Sequence, residues 1–302
     1  MTAQEVARRV DDALADAGCD GWWHAELLDG GGARVGSGSD TPVVLTSMYK
    51  VPLLVAACRQ VDRGELDLRA KVTVTPSQCT PGPTGLSLFA DEVTLSWRDL
   101  LRSMIAVSDN AAADVVLGRV GLPEVESALA DLRLTATVVR GGARDAQDLA
   151  VADLGARDWE DAFHLLATDP NAQSGHAFDP SYVSASTPRE LCLLLRAIWS
   201  DEAASAASCA FMRELLGQQV WRHRIASGFP FAGVSIAGKT GTIGAVRAEM
   251  AVVTVHGEPP IAVAVVARSV RAQPELPAVD AVIGTVARLA VNHLRAGLEP
   301  DL

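Results

Sequence analysis

The chain has 302 residues, 49% of them hydrophobic and 5% aromatic, which suits one large soluble globular domain or two interleaved lobes. Its formal net charge is −11 and it has no run of basic residues, so nucleic acid and anionic membrane surfaces are not expected as partners.

Acids and bases run through the first twenty residues, which contain no apolar stretch of signal-peptide type. No later segment reaches transmembrane length, and a cytoplasmic location is expected. Val6, Val10, Leu14 and Ala17 recur at helical spacing and predict an amphipathic first helix. Strand-like runs at 21–28 and 33–35 flank the turn Asp29-Gly30-Gly31-Gly32. Residues 48–61 read as a largely apolar helix that tolerates Pro52 in its first turn. Ser47, just before that run, is of a preferred capping type, and Lys50 lies one turn along on the same face.

A Pro/Gly-rich loop at 75–85 precedes a helix near 96–106, and Ser108-Asp109-Asn110 makes a polar break before the next at 111–120. Helical patterns continue through 123–132, 158–167, 188–199 and 209–219, with a long Asp/Pro/Ser/Gly-rich loop at 169–187. Residues 234–236 lead into Lys239-Thr240-Gly241-Thr242, and β-branched runs follow at 250–256 and 261–267, joined by Gly257-Glu258-Pro259-Pro260. An amphipathic helix at 278–294 comes last. Strands near both termini around a helical middle predict one antiparallel sheet with an inserted helical lobe. The expected division is a sheet lobe from 1–46 and 225–302 and a helical lobe from 47–224.

Cys19, Cys58, Cys79, Cys192 and Cys209 are scattered, and the histidines never approach metal-ligand spacing. Neither a disulfide framework nor a metal site is expected, and no cofactor is. Trp22, Trp23, Trp97 and Trp221 read as packing residues rather than a ligand cage. Lysine is rare: only Lys50, Lys71 and Lys239 occur among 26 basic residues. A buried ammonium can lose its proton and act as a base, whereas guanidinium stays charged. Two of the three lysines stand in short motifs, and Lys71 reads as a surface residue.

The motifs are Ser47-x-x-Lys50, Ser108-Asp109-Asn110 and Lys239-Thr240-Gly241, in that order. All three arise together by chance in roughly one such chain in ten thousand. Carrying them, the chain resembles the penicillin-recognising serine enzymes over nearly its whole length, most closely class A β-lactamases and their serine-hydrolase relatives. The resemblance implies a two-lobed α/β fold, an antiparallel sheet flanked by helices plus an all-helical lobe, with the catalytic cleft between lobes. It implies Ser47 as the nucleophile that forms an acyl-enzyme, and Lys50 as its base, crowded by Lys239 and desolvated. Ser108 relays a proton to the leaving group, and Asn110 orients substrate and lysine. Lys239 and Thr240 meet a substrate carboxylate, with Arg247 as a further contact, and the backbone N–H groups of Ser47 and Thr242 form the oxyanion hole.

The chain departs from class A in one respect. The glutamate that activates the deacylating water is due near Arg144-Asp145 and is not there; the nearest acid, Glu160, lies further along, at what reads as a helix start capped by Asp158. The expectation is therefore a monomeric serine hydrolase or acyl transferase acting on a small ester or amide that bears a carboxylate. A genuine β-lactamase using Glu160 or Lys50 for deacylation, and a non-turnover acyl-trapping protein or inactive scaffold, stay open beside it. The retained lysines argue against the scaffold.

Overall fold

A computed structural model describes residues 1–28 and 30–298. The sequence opens with α1 (Ala3–Asp16), β1 (Cys19–Leu27), β2 (Arg34–Ser37) and the short β3 (Val43–Val44). A 3-10 turn at Thr46–Tyr49 runs directly into α2 (Lys50–Asp62). Two short strands, β4 (Lys71–Val74) and β5 (Val93–Ser96), pair with each other ahead of α3 (Trp97–Ala106) and α4 (Asn110–Val120). Then come α5 (Leu122–Asp131), α6 (Ala143–Leu154), α7 (Trp159–Thr168), β6 (Ala185–Ser186), α8 (Pro188–Trp199) and α9 (Ala206–Gly217). The chain returns to the sheet as β7 (Val234–Ile243), β8 (Val246–Val255) and β9 (Ile261–Ser269), and α10 (Pro277–Arg295) follows.

The five-stranded sheet has the order β2-β1-β9-β8-β7, every neighbouring pair antiparallel. Side chains alternate across its faces with the two-residue period of a strand. On β9, Val263, Val265 and Ala267 join Val6, Val10, Leu14, Ile283 and Val286 in the layer under α1 and α10. The intervening Ala262, Ala264 and Val266 join Leu191, Leu195 and the apolar face of α2 on the other side. Each fully buried Val or Leu contributes about 1.5–3 kcal/mol, so the central strands are held from both faces. This is the architecture expected from the sequence: one sheet drawn from both termini, helices flanking it, and a helical insertion. The proposed lobe boundaries at 46/47 and 224/225 fall at the 3-10 turns Thr46–Tyr49 and Ile225–Gly228. No helix among the described residues is long and apolar enough to cross a membrane.

Local chemistry explains most element starts. Thr2 and Glu5 close a capping box on α1, Ser96 caps α3 and Asp158 caps α7. The expected cap at Ser47 is a misreading. The residues preceding the 3-10 turn and α2 are Leu45 and Tyr49, both in helical conformation with no side-chain cap bond. The expected loop at 169–187 holds two 3-10 turns and β6, which pairs with β3. The turn expected at Asp29–Gly32 begins at Asp29, which lies outside the described residues. Lys71 is exposed on β4, as expected.

One glycine in the middle of a helix shapes the site at a distance. A Cβ on Gly284 of α10 would collide with Ser227 Oγ, the Arg224 carbonyl and the Gly228 amide. Only a bare Cα lets the Arg224–Gly228 turn lie against α10. Gly284→Ala gains about 1 kcal/mol of helix propensity but forces the two backbones apart. The net result expected in urea denaturation is a loss of about 1–3 kcal/mol of stability; an unchanged or raised midpoint would refute the close packing.

Candidate active site

Ser47 lies inside the 3-10 turn, and the turn is held by its neighbours. The Leu45 amide donates to the Ser184 carbonyl at 2.8 Å, and Thr46 has a positive φ of 46°. Such a backbone is uncommon for a threonine and marks local strain. The Thr46 hydroxyl packs on Gly241 of β7, where any Cβ would overlap it. That contact is why the third residue of the Lys-Thr-Gly motif is glycine: the turn carrying Ser47 seats directly on the strand.

Behind Ser47, on the first turn of α2, Lys50 is completely buried. Its amine donates to the Ser108 carbonyl at 2.7 Å and Asn110 Oδ1 at 2.9 Å, and meets Ser108 Oγ at 3.3 Å. Ser108 also has a positive φ, 62°, which turns both its carbonyl and its hydroxyl toward the lysine. Asp109 keeps that corner in place. Fully buried, it accepts from Ala112 N at 3.0 Å, Leu86 N at 2.9 Å and Ser103 Oγ at 2.7 Å. Burial pushes the Lys50 ammonium down to about 7, against the opposing pull of Asp109 and Asp114. The repulsion expected between the motif lysines acts on Lys239 instead. Lys239 is lowered well below the usual lysine value, first by burial and then by Lys50 and Arg224, with Glu249 opposing.

β7 is an edge strand, and its free side faces the serine. The Thr240 amide donates to Gln219 Oε1 at 2.6 Å rather than to β8. Alternation along the strand turns the Thr242 N–H to that same open side. Gln219 also donates to Glu249 at 2.9 Å, and the Ile225 amide donates to Glu249 at 2.7 Å. Burial raises the Glu249 carboxyl to about 7.

The arginine of the site is not the one expected. Arg247 is buried, donates to the carbonyls of Gly244, Val246 and Pro274, and stands apart from the cleft walls. Arg247 stands directly opposite Thr242 in the β7–β8 register, on the same face of the sheet, but its guanidinium is taken up by those three carbonyls. Arg224 faces the cleft instead. It donates to Thr242 Oγ1 at 2.7 Å, to the Gly241 and Ala248 carbonyls at 2.8 and 2.9 Å, and to Asp280 Oδ1 at 2.7 Å. Nothing in Trp221-Arg222-His223-Arg224 marks it in sequence, because it precedes a turn and belongs to no motif.

Two cavities meet at Ser47, Asn110 and Thr242. The outer cleft, of about 690 Å³, is lined by Ser108, Thr240, Gly241, His223 and Arg224, with Trp159, Phe163 and Trp221 as aromatic walls. Trp221 is therefore a cleft residue, held by its indole N–H on the Val107 carbonyl, and not simply a packing residue. Glu160 is exposed where the cleft opens toward a shallow depression lined by Arg157, Asp158 and Asp161. The inner cavity, of about 120 Å³, lies on the other side of Ser47 against the first turn of α6. Gly142, Ala143, Ala146 and Gln147 face it, while Arg144 is exposed and the Asp145 carboxylate turns back to accept from the Gly142 N–H at 2.8 Å. No Asp or Glu is among the described residues lining it.

The fold is that of class A β-lactamases and PBP-type serine hydrolases. A β-lactamase from Sphaerobacter thermophilus superimposes with TM-score 0.79 at 24% identity, covering 99% of this chain and all of that one. A leucine-to-glutamate mutant of PBP-A, in its acyl-enzyme complex with penicillin G, gives 0.76 at 20% identity over 97% of each chain. The model of the Beta-lactamase enzyme family matches residues 5–294, and the chain belongs to that family. It is also 27% identical to the β-lactamase regulatory protein BlaB of Streptomyces cacaoi, over 98% of this chain and 99% of that protein.

Arg224 ties β7, β8 and α10 together through Asp280, so its removal strands a carboxylate and two carbonyls. Arg224→Met is expected to cost about 3–5 kcal/mol in urea denaturation; a loss below 1 kcal/mol would show that the network contributes little.

Proposed function

We propose that the protein is a serine hydrolase that forms an acyl-enzyme on Ser47 from an ester or amide bearing a carboxylate. The observation that carries this reading is the buried Lys50 amine, three residues after the serine, lowered to about 7 and hydrogen-bonded to Ser108 and Asn110, which line one cleft with Ser47. Near neutral pH about half of such amines are uncharged and able to accept the Ser47 proton. Serine Oγ then attacks the substrate carbonyl, whose oxygen develops charge toward the Ser47 and Thr242 N–H groups. Ser108 passes the proton on to the departing group. The carboxylate is met by the Thr240 and Thr242 hydroxyls, backed by Lys239 and by Arg224 in the part first assigned to Arg247. An anion there favours the charged form of Lys239, which in turn keeps Lys50 neutral.

Release of the acyl group is the slow half of this cycle. Among the described residues the inner cavity has no carboxylate to activate water, and Glu160 is an exposed lining residue of the outer cleft. Lys50 is then the remaining base. The same observation favours a second reading, in which a lasting adduct on Ser47 is the output and the protein is an acyl-trapping sensor. The BlaB relative, named for regulation of a β-lactamase, supports that reading.

Intact-mass spectrometry with a fluorescent penicillin, nitrocefin and simple esters tests the proposal. An adduct on Ser47 that is lost in Ser47→Ala is expected, forming faster as pH rises through about 7 because the uncharged amine is the active form. No adduct from any donor, or one that survives in Ser47→Ala, would refute it. Ala143→Glu or Ala146→Glu places a carboxylate at the inner cavity and is expected to shorten the adduct lifetime by about tenfold or more. A hydrolysis rate equal to or faster than acylation in the wild-type protein would instead favour a true β-lactamase.

A further inference from the structure

One wall of the outer cleft has no helix or strand of its own. Residues 219–224, between α9 and the 3-10 turn Ile225–Gly228, contribute Trp221, His223 and Arg224 to it. Such a stretch has no hydrogen-bond ladder, so its position depends on other partners for its polar groups.

Both ends of this wall meet one carboxylate. At the start, Gln219 Nε2 donates to Glu249 Oε1 at 2.9 Å; at the end, the Ile225 amide donates to Glu249 Oε2 at 2.7 Å. Glu249 stands directly opposite Thr240 in the β7–β8 register, and the Thr240 N–H donates to Gln219 Oε1 at 2.6 Å. Thr240, Gln219 and Glu249 therefore form one chain of hydrogen bonds, which Ile225 closes from the other side.

Chemistry fixes the direction of that chain. A backbone N–H only donates, so the Gln219 carboxamide turns its oxygen to Thr240 and its NH2 to Glu249. The Ile225 N–H also only donates, so each Glu249 oxygen has to accept. A carboxylate meets both demands, although the place is otherwise unsuited to one. Glu249 is 1% exposed and is the only acid of β8, where Ala248, Met250, Ala251 and Val252 beside it are buried and apolar. Arg224 and Lys239 are the cations that face it. Burying a carboxylate is costly, and the two donors this one holds are the two ends of the cleft wall.

We propose that Glu249 is a positioning residue for substrate binding: its carboxylate clamps both ends of the 219–225 segment and so sets where Trp221, His223 and Arg224 meet the substrate. The inference rests on the reading that a carboxylate-bearing donor acylates Ser47 in this cleft.

Two chromogenic donors test it. Nitrocefin bears a carboxylate and p-nitrophenyl acetate does not, and both change colour as the bond to Ser47 forms. The burst is followed by stopped flow against donor concentration. Glu249→Gln sets an NH2 against one of the two donors. It is expected to raise the nitrocefin concentration for half-maximal acylation about tenfold. The maximal rate, and the rate with p-nitrophenyl acetate, are expected to stay within about twofold.

Combining Glu249→Gln with Gln219→Glu restores every hydrogen bond, with the charge moved one side chain along. Thr240 N–H donates to the relocated carboxylate, the relocated amide donates to it as well, and that amide's oxygen accepts from Ile225 N–H. The double variant is expected to return the half-maximal concentration to within about threefold of wild type. Should Glu249→Gln fail to fold, the double variant is expected to fold and to show that same recovery. An unchanged half-maximal concentration in Glu249→Gln, an equal loss with both donors, or a double variant no better than the single one would overturn the clamp while leaving acylation of Ser47 intact. No burst from either donor in the wild-type protein would overturn the acyl-enzyme itself and the clamp's role with it.

Discussion

A single amine deprived of water governs this site. Lys50 is fully buried, and its amine donates to a backbone carbonyl and an asparagine side chain and meets a serine hydroxyl. Taking an ammonium out of water is costly, and the neutral form is the cheaper species. Much of the surrounding structure serves that burial. The 3-10 turn delivers α2 to the cleft floor with Lys50 as its first residue. Asp109 ties the corner after α3 to the Leu86 amide, so that Ser108 and Asn110 close over the lysine from the helical side.

The sheet side supplies the opposite property, a fixed positive field. Arg224 is bound to two strand carbonyls and to Asp280, which also lies 3.7 Å from His223 and from Arg247. Arg224 donates to Thr242 Oγ1 beside the serine. Lys239 is buried between this group and Lys50, with Glu249 as its counterweight. The cleft thus sets an amine whose charge is disfavoured by burial against an arginine held by hydrogen bonds.

What could be read from the sequence was whatever is local. Capping residues, strand alternation and three motifs located α1, α3, α7, β9 and the convergence of residues 47, 50 and 108. Features set by distant partners were hidden. α6 starts at Gly142, a residue with no capping side chain; Asp145 accepts from the Gly142 N–H, Asp114 on another helix accepts from Ala143 and Arg144 N–H, and the Ala/Asp pattern carries little periodicity. Arg224 is one arginine among many until Gly284 brings its turn against α10 and β7. Arg247 lies on the right strand, opposite Thr242, but its guanidinium is bound to the Gly244, Val246 and Pro274 carbonyls, partners that spacing does not reveal. Ser47 is of a capping residue type, yet it lies inside the 3-10 turn after the positive φ of Thr46 rather than at its cap.

Lysine rarity makes the central claim open to direct measurement. With only Lys50, Lys71 and Lys239 present, selective carbon-13 labelling of lysine side chains yields three titration curves, and Lys50→Met identifies the one that belongs to Lys50. The account expects that curve to have its midpoint near 7. A midpoint near the ordinary lysine value of about 10.4 would mean a charged, solvated Lys50 and no base behind Ser47.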